Sequence, residues 1–177
     1  MHMFKNIVFH DIVGLWLVLT SCLIGGFVLN EMRPAPLPLV YTSPQSRLDH
    51  SVEKLKPGEN IAVALDGGVA REEMQKLSAN HAAIILDARP EIFYRLGHIP
   101  AAISLPRDDF EKQYQVLQAT LQSHRGNPLV IYCSGPDCHD SQMVADALQK
   151  LGYAHVRLFR GGWSDWESAN LPEEKEE

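Results

Sequence analysis

The sequence has few of the features that assign a chain to a class at once. Its 177 residues include only three cysteines, too few for the disulfide framework of a small secreted domain. Basic residues (16) are fewer than acidic ones (22), which argues against a nucleic-acid binder because such proteins normally present a basic face. No internal repeat with a period of about 20–50 residues is visible, which excludes a solenoid. The remaining composition, 45% hydrophobic and 21% charged, is that of a globular domain with an appendage.

The acid excess is concentrated at the C-terminus. The segment 173–177 (EEKEE) carries a charge of −3, half of the total net charge of −6. We expect this acidic tail to be disordered, since a short polar segment buries too little apolar surface to offset the entropy of ordering. The rest of the chain is only mildly acidic, so its charge says little about its partners.

A long apolar run lies near the N-terminus. Ile12–Leu29 (IVGLWLVLTSCLIGGFVL) holds 18 residues without a charge, and a membrane-spanning helix needs about 17–25 apolar residues. This run predicts a single-pass membrane anchor within residues 1–32. Three alternatives stay open: a cleaved signal peptide, a lipoprotein signal with Cys22 lipidated (LTSC resembles a lipobox), and a buried core helix. The last is disfavoured because the run is apolar on all sides.

Two features bear on how the anchor presents the rest of the chain. Lys5 before the run and Arg33 after it do not decide the orientation by the positive-inside rule. A short N-terminal tail before one span is a common export anchor, so we expect the main domain in the periplasm. Residues 33–60 start with a proline-rich segment (RPAPLPLV) that predicts an extended spacer, followed by a linker.

Residues 61–172 alternate between short apolar runs and amphipathic segments, a pattern typical of βαβ units with a mostly parallel sheet. The predicted strands are Ile61–Leu65, Ala83–Asp87, Ala101–Leu105, Pro128–Tyr132 and His155–Phe159. The predicted helices are Ala70–Leu77, Pro90–Leu96, Asp108–His124, Asp140–Leu151 and a last turn at Trp163–Ser168. Chemistry in such sheets is found at the carboxyl ends of the strands.

One cysteine occupies such a position. Cys133 directly follows a predicted buried strand, and a helix begins a few residues later. Loop N–H groups and a helix N-terminus both stabilise negative charge, so this junction favours a thiolate, the form of cysteine that acts as a nucleophile. An inert buried cysteine is the alternative.

Three stretches of the chain together resemble the rhodanese-like domain, a sulfurtransferase family, in its membrane-anchored bacterial form with a Cys-x4-Cys loop. They are ILDARPEIFYRLGHIPAAISLP (85–106), VIYCSGPDCHDS (130–141) and LGYAHVRLFRGGWSDW (151–166). They cover about 100 residues in the family's order and spacing. The resemblance implies a three-layer α/β fold with a five-stranded parallel sheet, preceded here by the transmembrane helix.

The resemblance also implies roles for individual residues. Cys133 would accept sulfane sulfur as a persulfide and pass it to a thiol acceptor, with no cofactor. The loop from Ser134 to Cys138 would hold that sulfur with backbone N–H groups. Asp87 and Arg89 match the front motif and are expected to be architectural, and His98 is expected to be hydrogen-bonded within its turn. The expected substrate-binding residues are Ser134, Gly135, Pro136, Asp137, Cys138 and His139.

The loop departs from the family pattern in two ways. It lacks the cations that thiosulfate-using members carry, Asp137 repels a dianion, and Pro136 lacks an N–H group, so only protonated His139 compensates. We therefore expect weak thiosulfate activity and a persulfide or low-charge thiol partner. The second departure is Cys138, which is either a resolving thiol for Cys133 or a residue that only packs at the helix start.

The residues around Cys133 do not match a phosphatase loop or a zinc site. A phosphatase of this fold class needs Cys-x5-Arg, but the residue six positions after Cys133 is His139. Cys133, Cys138 and His139 lack a fourth ligand for zinc, so no metal site is predicted. Arg157 and Arg160 flank the last strand; solvated surface is the default expectation for them, and a place near the rim of the site is the alternative. Two alternative functions remain: a non-catalytic module that docks a membrane-protein partner, and a Cys133/Cys138 dithiol redox element.

Overall fold

The computed structural model describes residues 2–34, 36–37, 41–55 and 67–176. The chain divides into two compact units, Met1–Tyr41 and Thr42–Glu177. The first unit is one helix, α1 (His2–Glu31), followed by a short turn. The predicted strand Ile61–Leu65 lies outside the described residues.

Most of α1 is apolar. Its segment Val13–Glu31 is long and apolar enough to cross a bilayer, by length and composition. The hydroxyls of Thr20 and Ser21 donate to backbone carbonyls one turn earlier on the same helix, at 2.7–3.0 Å. Their polar groups are therefore satisfied without water, as an apolar environment requires.

The second unit alternates helices and strands, as the sequence predicted. Its elements are α2 (Pro44–Lys54), α3 (Arg71–Asn80), β1 (Ile84–Asp87), α4 (Glu91–Leu96), β2 (Ala102–Ser104), α5 (Phe110–Ser123), β3 (Leu129–Tyr132), α6 (Asp140–Lys150), β4 (Val156–Phe159) and α7 (Gly162–Ser168). Each predicted helix and strand from residue 70 onward is found, with ends that differ by a few residues.

All paired strands of the sheet are parallel, in the order β2-β1-β3-β4. The described residues thus form four strands where the sequence predicted five. An isolated parallel bridge joins Gly68 to Leu158, and the Val69 N–H donates to the Leu158 carbonyl at 2.8 Å. Gly68 and Val69 therefore lie along the outer edge of β4.

Helices cover both faces of the sheet, which gives the three-layer architecture. Alternate residues of each strand face opposite sides: Leu129 and Ile131 pack with α2, α5 and α6, while Val130 and Tyr132 pack with α3, α4 and α7. Every residue of β3 is buried. This explains why the strand is a continuous apolar run, since a central parallel strand is buried on both faces.

Helix α2 was not predicted. Ser43 caps it by accepting a hydrogen bond from the Ser46 N–H at 3.1 Å, and Pro44 occupies its first turn. Leu48 and Val52, one turn apart, are buried in the core with α5 and α6. The Ser-Pro start and this single apolar pair were the only signals, too few to stand out in a mostly polar segment.

The predicted disorder of the acidic tail is wrong for residues 173–176. Glu174 and His98 form an antiparallel bridge, with their backbone N–H groups and carbonyls paired at 2.9 and 3.0 Å. The Glu174 carboxylate also accepts from the Ala101 N–H at 3.1 Å. Backbone pairing holds the tail despite its polar composition, because the turn at 97–101 offers it free partners.

Candidate active site

The candidate site lies at the carboxyl end of the sheet, in the loop that joins β3 to α6. Cys133 is the first residue after β3, and α6 begins at Asp140. β1 is the neighbour of β3 on one side and β4 on the other. Residues that follow these three strands therefore meet at one edge of the sheet.

The Cys133 side chain is almost completely buried, with 2% of its surface exposed. Its sulfur lies 3.3 Å from the Cys138 carbonyl oxygen, 3.9 Å from the Gly135 carbonyl oxygen and 3.3 Å from the Ser141 hydroxyl. Two of these partners can only accept, which suits a thiol that carries its proton. The Ser141 hydroxyl can also donate, so it is placed to stabilise the sulfur once the proton has left.

The loop amides are arranged differently from the expected cradle around Cys133. The Cys138 N–H donates to the Gly135 carbonyl at 3.0 Å, which closes a turn inside the loop. The N–H groups of Asp140 and Ser134 lower the pKa of the Cys138 thiol and thus act on the second cysteine. A cradle of loop amides for a persulfide on Cys133 stays a prediction.

Cys138 is half-buried beside the first cysteine. The pKa of its thiol is raised to about 11, mainly by burial and then by a hydrogen bond with the Cys133 side chain, while the N–H groups of Asp140 and Ser134 act to lower it. Cys138 therefore keeps its proton at neutral pH and is placed to donate to the Cys133 sulfur. All described cysteines are free thiols.

A cavity of about 190 Å³ opens at this loop. Cys133 does not line it, but Ser141, whose hydroxyl lies 3.3 Å from the Cys133 sulfur, does. The lining consists of Gly135, Pro136, Cys138, His139, Ser141, Gln142 and Arg160. Four of the six predicted substrate-binding residues line it, and Ser134 and Asp137 do not. The Asp137 carbonyl lies 3.0 Å from His139 Nδ1, so that ring nitrogen carries a proton and donates. Asp137 is exposed, outside the lining.

Three lining residues were not predicted as site residues. Ser141 and Gln142 lie in the first turn of α6, which faces the end of β3. Arg160, for which solvated surface was the default expectation and the rim of the site the alternative, is exposed and also borders the cavity. A signal for it existed: Arg160 directly follows β4, and β4 is the neighbour of β3, so both strand ends lie at the same edge of the sheet.

The Gly-Gly-Trp turn supports the loop from behind. Two backbone N–H groups in the first turn of α7 donate to carbonyls of the loop. The Trp163 N–H donates to the Cys133 carbonyl at 2.8 Å, and the Ser164 N–H donates to the Ser134 carbonyl at 2.9 Å. Gly162 has φ +62°, and a Cβ there would overlap the Cys133 carbonyl oxygen. Only glycine allows this close approach, which fixes the position of Cys133.

The end of β1 holds a buried ion pair instead of a reactive group. Arg89 (3% exposed) pairs with Asp87 at 2.7 Å and donates to the Gly97 carbonyl at 2.6 Å. The Tyr132 hydroxyl donates to Asp87 at 2.6 Å, and the Arg89 guanidinium stacks over the Trp163 ring at 4.6 Å. Every charge here has a partner, so the front motif ties the sheet to the following turn.

His98 belongs to that turn and does not line the cavity. It is buried, its Nδ1 donates to the Tyr94 carbonyl at 2.9 Å, and its ring stacks on Tyr94 with centroids 3.9 Å apart. Its Nε2 lies 3.7 Å from a Glu174 carboxylate oxygen. Within the described residues, no group of three or more His, Cys, Asp or Glu side chains is arranged to hold a metal ion.

Comparisons with known proteins place this architecture. The model of the rhodanese-like domain matches residues 70–169. Uncharacterized protein YibN of Escherichia coli is 30% identical over 105 residues, 59% of this chain and 69% of YibN. The adenylyltransferase and sulfurtransferase UBA4 of Saccharomyces cerevisiae is 31% identical over 113 residues, 61% of this chain but 24% of UBA4.

A solved structure agrees with the fold. An uncharacterized protein from Saccharomyces cerevisiae superposes with a TM-score of 0.50 at 20% identity, over 58% of this chain and 92% of that one. This likeness concerns the fold alone. The family match, which covers more than half of the 177 residues, includes β1, the β3–α6 loop and α7. The chain therefore belongs to the rhodanese-like domain family.

Proposed function

We propose that this protein is a sulfurtransferase in which Cys133 accepts sulfane sulfur as a persulfide and passes it to a thiol acceptor. One observation carries the proposal: the Cys133 sulfur is held at the end of the central strand, 3.3 Å from the hydroxyl of Ser141, a residue that lines a small cavity. A relative whose name includes sulfurtransferase, UBA4, supports this class of chemistry.

The reaction is a double displacement. The Cys133 thiolate attacks the outer sulfur of a donor R–S–SH, a bond forms between the two sulfurs, and the donor leaves as the thiolate R–S⁻. Cys133–S–SH remains. An acceptor thiolate R′–S⁻ then attacks the outer sulfur, takes it as R′–S–SH and releases the Cys133 thiolate. Ser141 stabilises the negative sulfur before the first step and after the second.

Cys138 gives a second outcome for the persulfide. Its thiol lies against Cys133, so it can attack the inner sulfur of Cys133–S–SH, forming a Cys133–Cys138 disulfide and releasing H₂S. Two electrons from a thiol reductant then restore both thiols. The high pKa of Cys138, about 11, makes this step slow at neutral pH, because only the thiolate attacks.

The sulfur chemistry is proposed to take place at a membrane. Helix α1 would be a single-pass anchor in a bacterial membrane, with the second unit in the periplasm. The support is its length, its composition and the internally bonded hydroxyls of Thr20 and Ser21. Protease treatment of spheroplasts should degrade the second unit. Its survival in spheroplasts, with degradation only after lysis, would contradict the periplasmic side.

The sulfur-transfer test uses the full chain in detergent micelles. After incubation with a polysulfide donor, peptide mass spectrometry should find one or two extra sulfur atoms on Cys133. Cys133→Ser should lose the adduct, and Cys138→Ser should keep it, since the second thiol only consumes the persulfide. A subsequent incubation with a small thiol should move the sulfur to that thiol.

Two other outcomes would replace the proposal. A rapid Cys133–Cys138 disulfide without sulfur uptake would make the pair a dithiol redox element, a function favoured by the contact between the two side chains. Absence of any adduct on folded wild-type protein would leave a binding module for a membrane-protein partner, consistent with the 2% exposure of Cys133.

A further inference from the structure

The cavity next to Cys133 has a one-sided charge. Its described lining contains an arginine, Arg160, and a histidine, His139, but no carboxylate. The two nearest acids of the loop and helix are elsewhere: Asp137 is exposed outside the lining, and Asp140 is paired with Arg107 at 2.6 Å. The cavity is therefore electropositive although the loop itself has no Lys or Arg.

Arg160 differs from most arginines of this unit. Those that lie against a carboxylate are Arg47, Arg71, Arg89, Arg107 and Arg157. Within the described residues Arg160 has no such partner, and its Nη2 lies 3.5 Å from the Gln142 side-chain oxygen. A neutral amide orients the guanidinium at the cavity edge without consuming its charge, so the charge is available to a ligand.

We propose that Arg160, oriented by Gln142, binds the anionic group of a small sulfur donor and thereby selects anionic over cationic donors for Cys133. A carboxylate or sulfonate fits the planar guanidinium fork, which binds such groups through two parallel hydrogen bonds. The volume of about 190 Å³ is below the roughly 300–1,000 Å³ typical of sites that enclose drug-sized ligands, so the donor is small.

This inference rests on the proposed sulfurtransferase function and names its substrate class: a low-mass persulfide R–S–SH in which R carries one negative charge. It also modifies the expectation drawn from the loop alone. The cation absent from the loop is supplied by the end of the neighbouring strand β4. One arginine balances one negative charge of a ligand, so the site favours a monoanionic R group over the sulfite group of thiosulfate.

The test measures charge selectivity with two thiosulfonates of similar size, one bearing an ethylsulfonate and one an ethyltrimethylammonium group. Each reacts as Cys–S⁻ + CH₃SO₂–S–R → Cys–S–S–R + CH₃SO₂⁻, the same attack on a two-coordinate sulfur as in the proposed reaction. The full chain in neutral detergent is labelled at about pH 9, where thiolates are more abundant. Peptide mass spectrometry follows Cys133 and the cavity-lining Cys138 separately.

In Arg160→Gln the ratio of anionic to cationic labelling rates should fall about threefold to tenfold, the range for one charge contact close to water. Arg160→Lys keeps the positive charge and should recover part of the wild-type ratio. Arg157→Gln is the matched control: it removes the same charge from β4, the strand that Arg160 follows, but Arg157 lines a different cavity with Pro128 and His155, at the amino end of the strands. Its ratio should equal that of wild type.

An unchanged ratio in Arg160→Gln, or an equal fall in Arg157→Gln, would overturn the inference. Lack of labelling at both cysteines would also overturn it, since the cavity would then not admit such reagents. These results are independent of sulfur transfer. If Cys133 takes up no sulfur from polysulfide yet Arg160 governs the labelling ratio, the proposed function fails and anion binding stands.

Discussion

The ends of β1 and β3 lie side by side in the sheet and are built in opposite ways. At the end of β1, Asp87 and Arg89 are buried and form a network with the Tyr132 hydroxyl and the Gly97 carbonyl. At the end of β3, the Cys133 sulfur has weak partners at 3.3–3.9 Å. Every charge at the end of β1 has a partner. At the end of β3 a sulfur has only weak hydrogen bonds, and a cavity lies nearby.

The contrast separates stability from reactivity. A buried charge must be paired and hydrogen-bonded, so the network at β1 tolerates no change in its members. A thiol is a weak hydrogen-bonding group and costs little to bury. The Cys133 thiol can therefore be buried with weak contacts only, and the sulfur of a donor can replace these contacts. We expect substitutions in the Asp87–Arg89 network to affect the free energy of unfolding and those around the Cys133 sulfur to affect sulfur chemistry.

The largest loss of stability is expected for Arg89→Met. Removal of one partner of a buried pair leaves Asp87 uncompensated and costs about 3–5 kcal/mol. Denaturant unfolding of the full chain in detergent, followed by tryptophan fluorescence, measures this. The control is Arg47→Met, whose ion pair with Asp108 is exposed and should cost less than about 1 kcal/mol. Equal losses for the two variants would contradict the contrast.

Tyr132→Phe should cost less, about 1.5–3 kcal/mol, since it removes one hydrogen bond to a charged group. Burial is the main cause that raises the pKa of the Tyr132 hydroxyl far above its usual range, and the charge of Asp87 and the hydrogen bond to it raise the pKa further. The folded protein keeps this proton where the unfolded chain loses it, so the free energy of unfolding falls as pH rises above about 10. This fall should be shallower in Tyr132→Phe.

The exposed Tyr41 provides the comparison for that pH dependence. Tyr41→Phe removes an exposed hydroxyl and should keep the wild-type stability at neutral pH. The same slope in Tyr132→Phe as in Tyr41→Phe would show that the buried hydroxyl does not govern the alkaline loss.

Ser141→Ala should have a modest effect on stability, about 0.5–1.5 kcal/mol for one lost hydrogen bond. Its effect on chemistry should be larger, because the hydroxyl lies 3.3 Å from the Cys133 sulfur and can donate to the thiolate. The rate of persulfide formation on Cys133 should fall, as read by mass spectrometry at successive times. Ser123→Ala, on the surface of α5, should change neither quantity. An unchanged rate in Ser141→Ala would remove this residue from the proposed site.

Cys138→Ser is expected to have the smallest effect at neutral pH. The pKa of the Cys138 thiol, raised to about 11 mainly by burial, keeps the proton on the folded protein. Above about pH 9 the unfolded chain loses that proton first, so the thiol makes the free energy of unfolding fall as pH rises from about 9 to 11. In Cys138→Ser the free energy of unfolding should fall less over this pH range. The variant should also form no Cys133–Cys138 disulfide. A fall as large as that of wild type would place the alkaline loss elsewhere.

Much of the second unit could be predicted because its signals are local. Buried parallel strands such as Leu129–Tyr132 are continuous apolar runs, and amphipathic helices separate them. Cys133 was identifiable since a strand directly precedes it. Helix α2 was missed because its burial rests on two side chains, Leu48 and Val52, whose partners on α5 and α6 are distant in sequence.

The site was predictable only in part, for the same reason. The segment 133–139 is continuous, so its residues could be proposed together. Ser141 and Arg160 join them through the direction of α6 and the position of β4 beside β3, and neither is encoded by local spacing. The effect of the Asp140 and Ser134 amides on the pKa of Cys138 is likewise a property of the folded loop.

The sequence by itself determined the βα alternation, the apolar helix at the N-terminus and the placement of a cysteine at a strand end, because each depends on residues adjacent in the chain. Only the tertiary structure decided which charges are neutralised and which remain available. Arg89 and Arg160 both follow a strand of the same sheet, yet a buried aspartate pairs with one and a neutral amide orients the other. Pairing depends on distances across the sheet, and these exist only after the chain has folded.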